Sequence, residues 1–374
     1  MSVEPGHILI VGASGVIGSA AIEHFARLAG WSVTALSRRP PVVDPDCRFR
    51  HVAVDLENGP ACCDALSALP LVTHMIYAAV REAPGLAEGW RDPDLIAANG
   101  RMFANALDPV VKSGGLRHLS LLQGAKAYGA HRHAVEIPLR EDAPRDEHAN
   151  FYWLHEDHAR SRSVEAGFGL TIFRPQVLLG SAAGAAMNPV AAIGAYAALC
   201  REMGEPFVYP AESAALFEAV DAGLMAEAFA WAISTPEAEG ETFNIANGDA
   251  LVLRHAWPRL AERLGLRSEG TAPTGLVAFF ARDECQDAWM RLATRHHLRI
   301  SSLESLLGQS HHYCDMLLGA RAAQRPLPVL LSTIKIRHAG FAACRDSEAS
   351  LLYWLRRMAE LNLLPTFQTQ ESSR

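Results

Sequence analysis

The chain has 374 residues, 49% of them hydrophobic, and a formal net charge of −7. That length buries a large core, while the acidic balance with no basic block excludes nucleic acid as the expected partner. No apolar run reaches the roughly 18 to 20 residues of a membrane span; the longest, around Ala191 to Cys200, contains Gly194 and Tyr196, so no membrane partner is expected. Met1-Ser-Val-Glu-Pro5 has no basic region leading into an apolar segment, and the seven cysteines are odd in number with no Cys-x-x-Cys pair. These features argue against export, a disulfide framework or a zinc site, and a reducing cytoplasm is the expected location.

Through the first 180 residues, short apolar runs alternate with segments of helix length. Ile8 to Val11, Ser32 to Leu36, His51 to Val54, Leu71 to Tyr77, His118 to Leu122 and Leu170 to Phe173 read as strands. Val16 to Leu28 and Asn99 to Lys112 read as helices, the second ending near Gly114-Gly115. Strands spaced by helices in this way predict an α/β fold, a Rossmann-type doubly wound parallel sheet covered on both faces. After Arg174-Pro175 the pattern changes to a small-residue stretch from Gly180 to Ala186 and a short strand at Phe207 to Tyr209. A helix near Ala219 to Ile233 and a strand at Phe243 to Ile245 read as rejoining the sheet. From Val252 the chain is mostly helical, with Trp257, Leu260 and Leu264 on one face and Leu351, Leu355, Met358 and Leu361 on another. The expected division is a dinucleotide-binding domain over 1–180 that 219–250 rejoins. Residues 181–218 and 251–374 are expected to form a smaller, mainly helical C-terminal region covering the substrate.

The first strand runs into Gly12-Ala-Ser14-Gly15-Val16-Ile-Gly18. Such a loop allows a tight turn, close backbone approach to a pyrophosphate, and a helix N-terminus aimed at its charge. Where an NAD-binding domain usually places an acid for the ribose 2′-hydroxyl, this chain reads Ser37-Arg38-Arg39-Pro40. Two guanidinium groups suit a 2′-phosphate, so NADPH is the expected cofactor. Asp55-Leu56 follows the third strand, where such folds contact the adenine.

No tyrosine is followed four residues later by a lysine, so the Tyr-x-x-x-Lys pair usual in short-chain dehydrogenases is absent. Reduction of a carbonyl or conjugated carbonyl still needs stabilisation of negative charge on oxygen, which a tyrosine hydroxyl near a lysine ammonium provides. The chain holds only three lysines, at 112, 126 and 335, which gives weight to Lys126 directly after a strand. Tyr152, in Asn150-Phe-Tyr152-Trp153, opens a helix that could approach it.

These pieces together resemble the progesterone 5β-reductase and iridoid synthase-like reductases, an atypical short-chain dehydrogenase group. The resemblance runs nearly the whole chain: Gly124-x-Lys126-x-Tyr128, Asn99-x-x-Met102-Phe103-x-Asn105, Asn150-Phe151-Tyr152, Arg174-Pro175, Met187-Asn188, Asn247-Gly248-Asp249 and Gly340-Phe341. It implies a catalytic lysine upstream of the tyrosine on another element, hence Lys126 and Tyr152. It also implies cofactor contacts at Ser14, Gly15, Val16, Arg38, Arg39, Asp55, Leu56, Ala79, Leu122, Leu178, Ala185, Ala186 and Met187, with Tyr152 beside the nicotinamide. Val80, Tyr128, His133, Trp153 and Asn188 are the implied substrate contacts. Ala79-Val80, Leu121-Leu-Gln-Gly124 and Ala130-His131-Arg132-His133 depart from the group's usual residues, changes that bear on substrate identity rather than on the catalytic pair. The implied activity is NADPH-dependent 1,4-reduction of an enone or enal.

The histidine pairs 131/133, 155/158, 296/297 and 311/312 lack recognised ligand spacing, and no metal is expected. The rival functions are a carbonyl reductase or epimerase of the extended short-chain type and a non-catalytic NADP-binding redox sensor. A small-molecule enone, enal or other carbonyl compound is the expected partner, with a homodimer as the assembly kept open.

Overall fold

A computed structural model describes residues 5–84, 86, 89–268, 274–320 and 328–367. The chain divides into two compact units, the first comprising Met1–Gln176, Ala222–Asn247 and Val329–Cys344, and the second Val177–Asp221, Gly248–Pro328 and Arg345–Arg374.

In the first unit β1 (His7–Val11), α1 (Val16–Arg27), β2 (Ser32–Leu36), β3 (Arg50–Val52), α2 (Gly59–Ser67), β4 (His74–Tyr77), α3 (Pro93–Lys112), β5 (His118–Leu122), α4 (Phe151–Ala166) and β6 (Gly169–Pro175) follow one another. After an excursion through the second unit, with β7 (Val177–Leu179), α5 (Pro189–Met203), β8 (Leu216–Phe217) and β9 (Ala219–Asp221), the chain returns as α6 (Ala222–Ile233) and β10 (Thr242–Ile245). The sheet has seven strands in the order β10-β6-β5-β4-β1-β2-β3, with every pairing parallel. This is a Rossmann-type doubly wound sheet, and its order reverses between β1 and β4. The strands can be apolar throughout because both faces are covered: Leu9, Val11, Met75, Tyr77, Leu119 and Leu121 pack with α2 and α3 residues such as Cys62, Leu66, Phe103 and Leu107. The alternate residues face the other way, as Phe173 does against Phe229 of α6, ring centroids 5.5 Å apart. α1 packs beside α6.

The helix starts follow local chemistry. Asp92 accepts the N–H of Asp94 (2.9 Å) and Pro93 fills the first helical position, so α3 begins six residues before the expected Asn99. Asn99 itself is interior, its amide donating to the Arg81 and Leu95 carbonyls.

In the second unit β7 pairs with β9 in parallel, and β11 (Leu251–Val252) pairs antiparallel with β8. The helices α7 (Leu253–Arg263), Asp283–Arg295, Ser310–Leu318 and Ser347–Glu360 supply most of the remainder. Phe207 to Tyr209, expected as a strand, is not one: Phe207 stacks on Trp257 with centroids 4.4 Å apart, and its carbonyl accepts the Trp257 indole N–H at 3.0 Å. Val329–Cys344, left with the helical C-terminal region by the sequence pattern, groups with the first unit. Leu139 N–H donates to Leu330 and Ser332 N–H to Leu139, while Phe341 lies against Trp231. No helix among the described residues is long and apolar enough to cross a membrane.

Candidate active site

Val11 lies level with Leu36 and Tyr77, and Tyr77 with Leu121, so the segments following β1, β2, β4 and β5 leave the sheet along one carboxyl edge. This is the edge where ligands bind in open parallel sheets. Gly12 turns with φ +85° while the N–H groups of Gly12 and Ala13 both donate to Leu36. A Cβ on Gly12 would lie 2.7 Å from the Ala78 and Ala79 backbone, and one on Gly18 2.4 Å from the Gly12 carbonyl oxygen. Those two glycines therefore serve the loop's own packing. Gly15 is different: its missing Cβ would meet only the Gly12 oxygen, at 3.2 Å, and it heads α1, whose N-terminus has no side-chain cap. An uncapped helix start with a bare backbone beside it fits an anionic pyrophosphate. Ser14 and Gly15 are half-buried and Val16 is buried in the first turn.

Arg38 and Arg39 are exposed directly after β2, and the Ser37 hydroxyl donates to the Arg39 carbonyl at 2.6 Å, fixing the turn that carries them. Asp55 is exposed and Leu56 buried, the Leu56 carbonyl accepting from the Asn105 amide at 2.8 Å. Ala79 and Leu122 are half-buried at the ends of β4 and β5, and Val80 is exposed. The residues along this edge fit a dinucleotide.

Lys126 stands on a single turn, Ala125–Tyr128, immediately after β5; Tyr152 stands in the first turn of α4. One residue joins them. Asn150 caps α4 by accepting the Tyr152 N–H at 3.0 Å, and its amide donates to the Lys126 carbonyl at 3.3 Å. The Tyr152 hydroxyl lies beside Gly124, where a Cβ would come within 3.2 Å of it. Trp90 touches both side chains: its ring centroid is 3.6 Å from the Lys126 Nζ and 5.2 Å from the Tyr152 ring. Desolvation pushes the Lys126 ammonium down to about 8, against the opposing charge of Glu82. Glu82 accepts the Trp90 indole N–H at 3.0 Å, and burial holds its carboxyl above the usual range, against the opposing influence of Lys126.

Beneath the pair, buried Gln123 donates to Glu156 at 2.9 Å and accepts from Arg174 at 2.8 Å. Burial alone would raise the Glu156 carboxyl, but bonds from Gln123 and Arg160 and the nearby Arg145 charge hold it below its ordinary value. This charged layer ties α4 to the ends of β5 and β6 and keeps Tyr152 in place.

Several of the residues expected as contacts have partners of their own. Tyr128, expected on the substrate wall, is buried with its hydroxyl donated to Asn244 at 2.7 Å. His133, expected to line the pocket, is exposed and paired with Asp146. Trp153 faces the guanidinium of Arg145 at 4.7 Å and that of Arg174 at 5.9 Å. Asn188 caps α5, accepting from Val190 and donating to the Ala182 carbonyl, so its buried amide is engaged structurally. Asn188, Leu178 and Ala185 to Met187 belong to the second unit. His155 is buried between Tyr77 and Phe103 and bonded to the Asn99 carbonyl, while His158 pairs with Asp108. The residues packed around Lys126 and Tyr152 that the sequence reading did not name are Trp90 and Glu82. The signal was available in Trp90-Arg91-Asp92-Pro93, a tryptophan set just before a strongly capped helix at the ligand edge.

The chain belongs to the NAD dependent epimerase/dehydratase family, which matches residues 8–246, and so to a nicotinamide-dependent class of enzymes. Within it, the chain is 29% identical to an (S)-8-oxocitronellyl enol synthase of Antirrhinum majus over 96% of its length and 92% of the relative's. It is 28% identical to a 3-oxo-Delta(4,5)-steroid 5-beta-reductase of Arabidopsis thaliana, again over 96% and 92%. Among solved structures, an epimerase from Methanothermobacter thermautotrophicus superposes with a TM-score of 0.68 at 14% identity, covering 96% of this chain and 93% of that one. That last likeness concerns the fold alone.

Proposed function

We propose that the protein is an NADPH-dependent reductase of activated C=C bonds, acting on enones or enals with Tyr152 and Lys126 as its catalytic residues. The observation that carries the reading is the Asn150 bridge, which locks the backbones of Tyr152 and Lys126 together at the ligand edge of the sheet. Similarity to an 8-oxocitronellyl enol synthase and a steroid 5-beta-reductase supports the substrate class. The cofactor would be held by Ser14 and Gly15, by the first turn of α1, and by Arg38 and Arg39 at a 2′-phosphate. When bound, NADPH supplies a hydride to the β-carbon of the conjugated carbonyl. The Tyr152 hydroxyl donates to the carbonyl oxygen and stabilises the enolate charge, and the Lys126 ammonium lowers the energy of that charge. A solvent proton completes the reduction at the α-carbon.

Tyr152→Phe is expected to bind NADPH as the parent does and to lose about 10²- to 10⁴-fold in turnover of 2-cyclohexenone, followed by NADPH oxidation. Lys126→Ala is expected to behave likewise. An unchanged rate in Tyr152→Phe contradicts the assignment, and tight NADPH binding without turnover of any enone or enal favours the sensor.

A further inference from the structure

The loop between β4 and α3 brings a carboxylate, Glu82, to Lys126. Glu82 is half-buried, and one carboxylate oxygen accepts the Trp90 indole N–H while the other is shut from solvent with no hydrogen-bond partner among the described residues. Trp90 in turn covers the Lys126 Nζ at 3.6 Å and meets Tyr152, Phe151 and His131 with its ring. The tryptophan is itself buried, and it is anchored by Phe151 and Ile96. A carboxylate left with an open acceptor in such a place is costly unless a charge nearby compensates it.

We propose that Glu82 is a positioning residue for the reduction: through Trp90 it is held as the counter-charge that keeps the Lys126 ammonium protonated and seated beside Tyr152. The inference rests on the reading of Lys126 and Tyr152 above. The groups facing Lys126 are Glu82 and Trp90 from this loop and His131 from the segment after the Ala125–Tyr128 turn, while Tyr152 from α4 meets the same Trp90 ring. Around His131 stand Arg132, Asp146 and His148. Burial pushes His131 down to about 4, with Lys126 repelling its proton, so this histidine is neutral wherever Lys126 titrates and adds no second positive charge beside it. The Lys126 ammonium is charged below about pH 8 and loses its proton above it. Activity that needs the ammonium is therefore full on the acid side and falls as the pH rises through that value.

The test is the pH profile of kcat/KM with 2-cyclohexenone. Glu82→Gln keeps the acceptor for Trp90 and removes the charge, so the alkaline limb is expected about one pH unit lower than in the parent. Glu82→Asp is expected to restore most of that shift. Trp90→Phe keeps a ring over Lys126 but drops the N–H that pins Glu82, and should move the limb in the same direction by less; it carries the test if Glu82→Gln does not fold. An alkaline limb unmoved in these variants overturns the inference. If Lys126→Ala retains full activity, the catalytic reading itself fails, an outcome distinct from an unmoved limb in an enzyme that still depends on Lys126.

Discussion

Asn150 does at the level of one side chain what the adjacent Tyr and Lys of a Tyr-x-x-x-Lys motif do by sharing a helix. It accepts from Tyr152 and donates to Lys126, so residues on different elements are held in one constellation. Asn150→Ala therefore removes a helix cap, expected to cost about 1 kcal/mol of stability, and it also frees the turn carrying Lys126. The expected outcome is a modest fall in Tm with a much larger fall in kcat; a fall in Tm with kcat intact would make Asn150 only a cap. Lys126 and Tyr152 could be proposed from the sequence because lysine is so scarce here and because Asn150-Phe-Tyr152 has the form of a capped helix start. Tyr128, His133 and Asn188, expected from the sequence as substrate contacts, all have hydrogen-bond partners of their own in the fold. Each is polar and near the lysine or the cofactor segment in sequence, yet each spends its hydrogen bonds on Asn244, Asp146 or a helix start. Sequence proximity does not show which way a side chain points.

Among elements, the proposed function divides the cofactor's recognition between the β1 loop and the end of β2. On that proposal the glycine loop would meet any dinucleotide, whereas Arg38 and Arg39, exposed on a turn held by Ser37, would distinguish one with a 2′-phosphate. Replacing both with serine is expected to raise KM for NADPH by about tenfold or more for each guanidinium, with little effect on NADH, because a charge-assisted bond contributes roughly 1.5 to 3 kcal/mol. Steady-state kinetics with the two cofactors checks this, and an equal loss with both would assign the arginines to folding. The alternating strands and helices up to β6 were readable from hydrophobic runs because a parallel sheet buries both faces. The start of α3 was missed because Asp92-Pro93 marks it more strongly than the apolar periodicity that begins later. Phe207 to Tyr209 is apolar for another reason, to fill space around Trp257, and composition does not separate that from a strand.

Across the whole molecule, two compact units are each assembled from three separate stretches of chain. The return of α6 and β10 to the sheet was visible as a helix followed by an apolar run. That of Val329–Cys344 was not, because it depends on backbone bonds to Leu139 and an aromatic contact with Trp231 that no local pattern announces. The chain's family membership defines a nicotinamide-dependent enzyme, and the central claim is narrower: hydride goes to carbon conjugated with a carbonyl. The most direct measurement is reduction of 2-cyclohexenone with NADPH deuterated at the transferred position, with the product examined by NMR and mass spectrometry. Saturated cyclohexanone carrying deuterium at the β-carbon is the predicted result. An allylic alcohol carrying deuterium at the carbinol carbon would contradict the account and make the protein a carbonyl reductase.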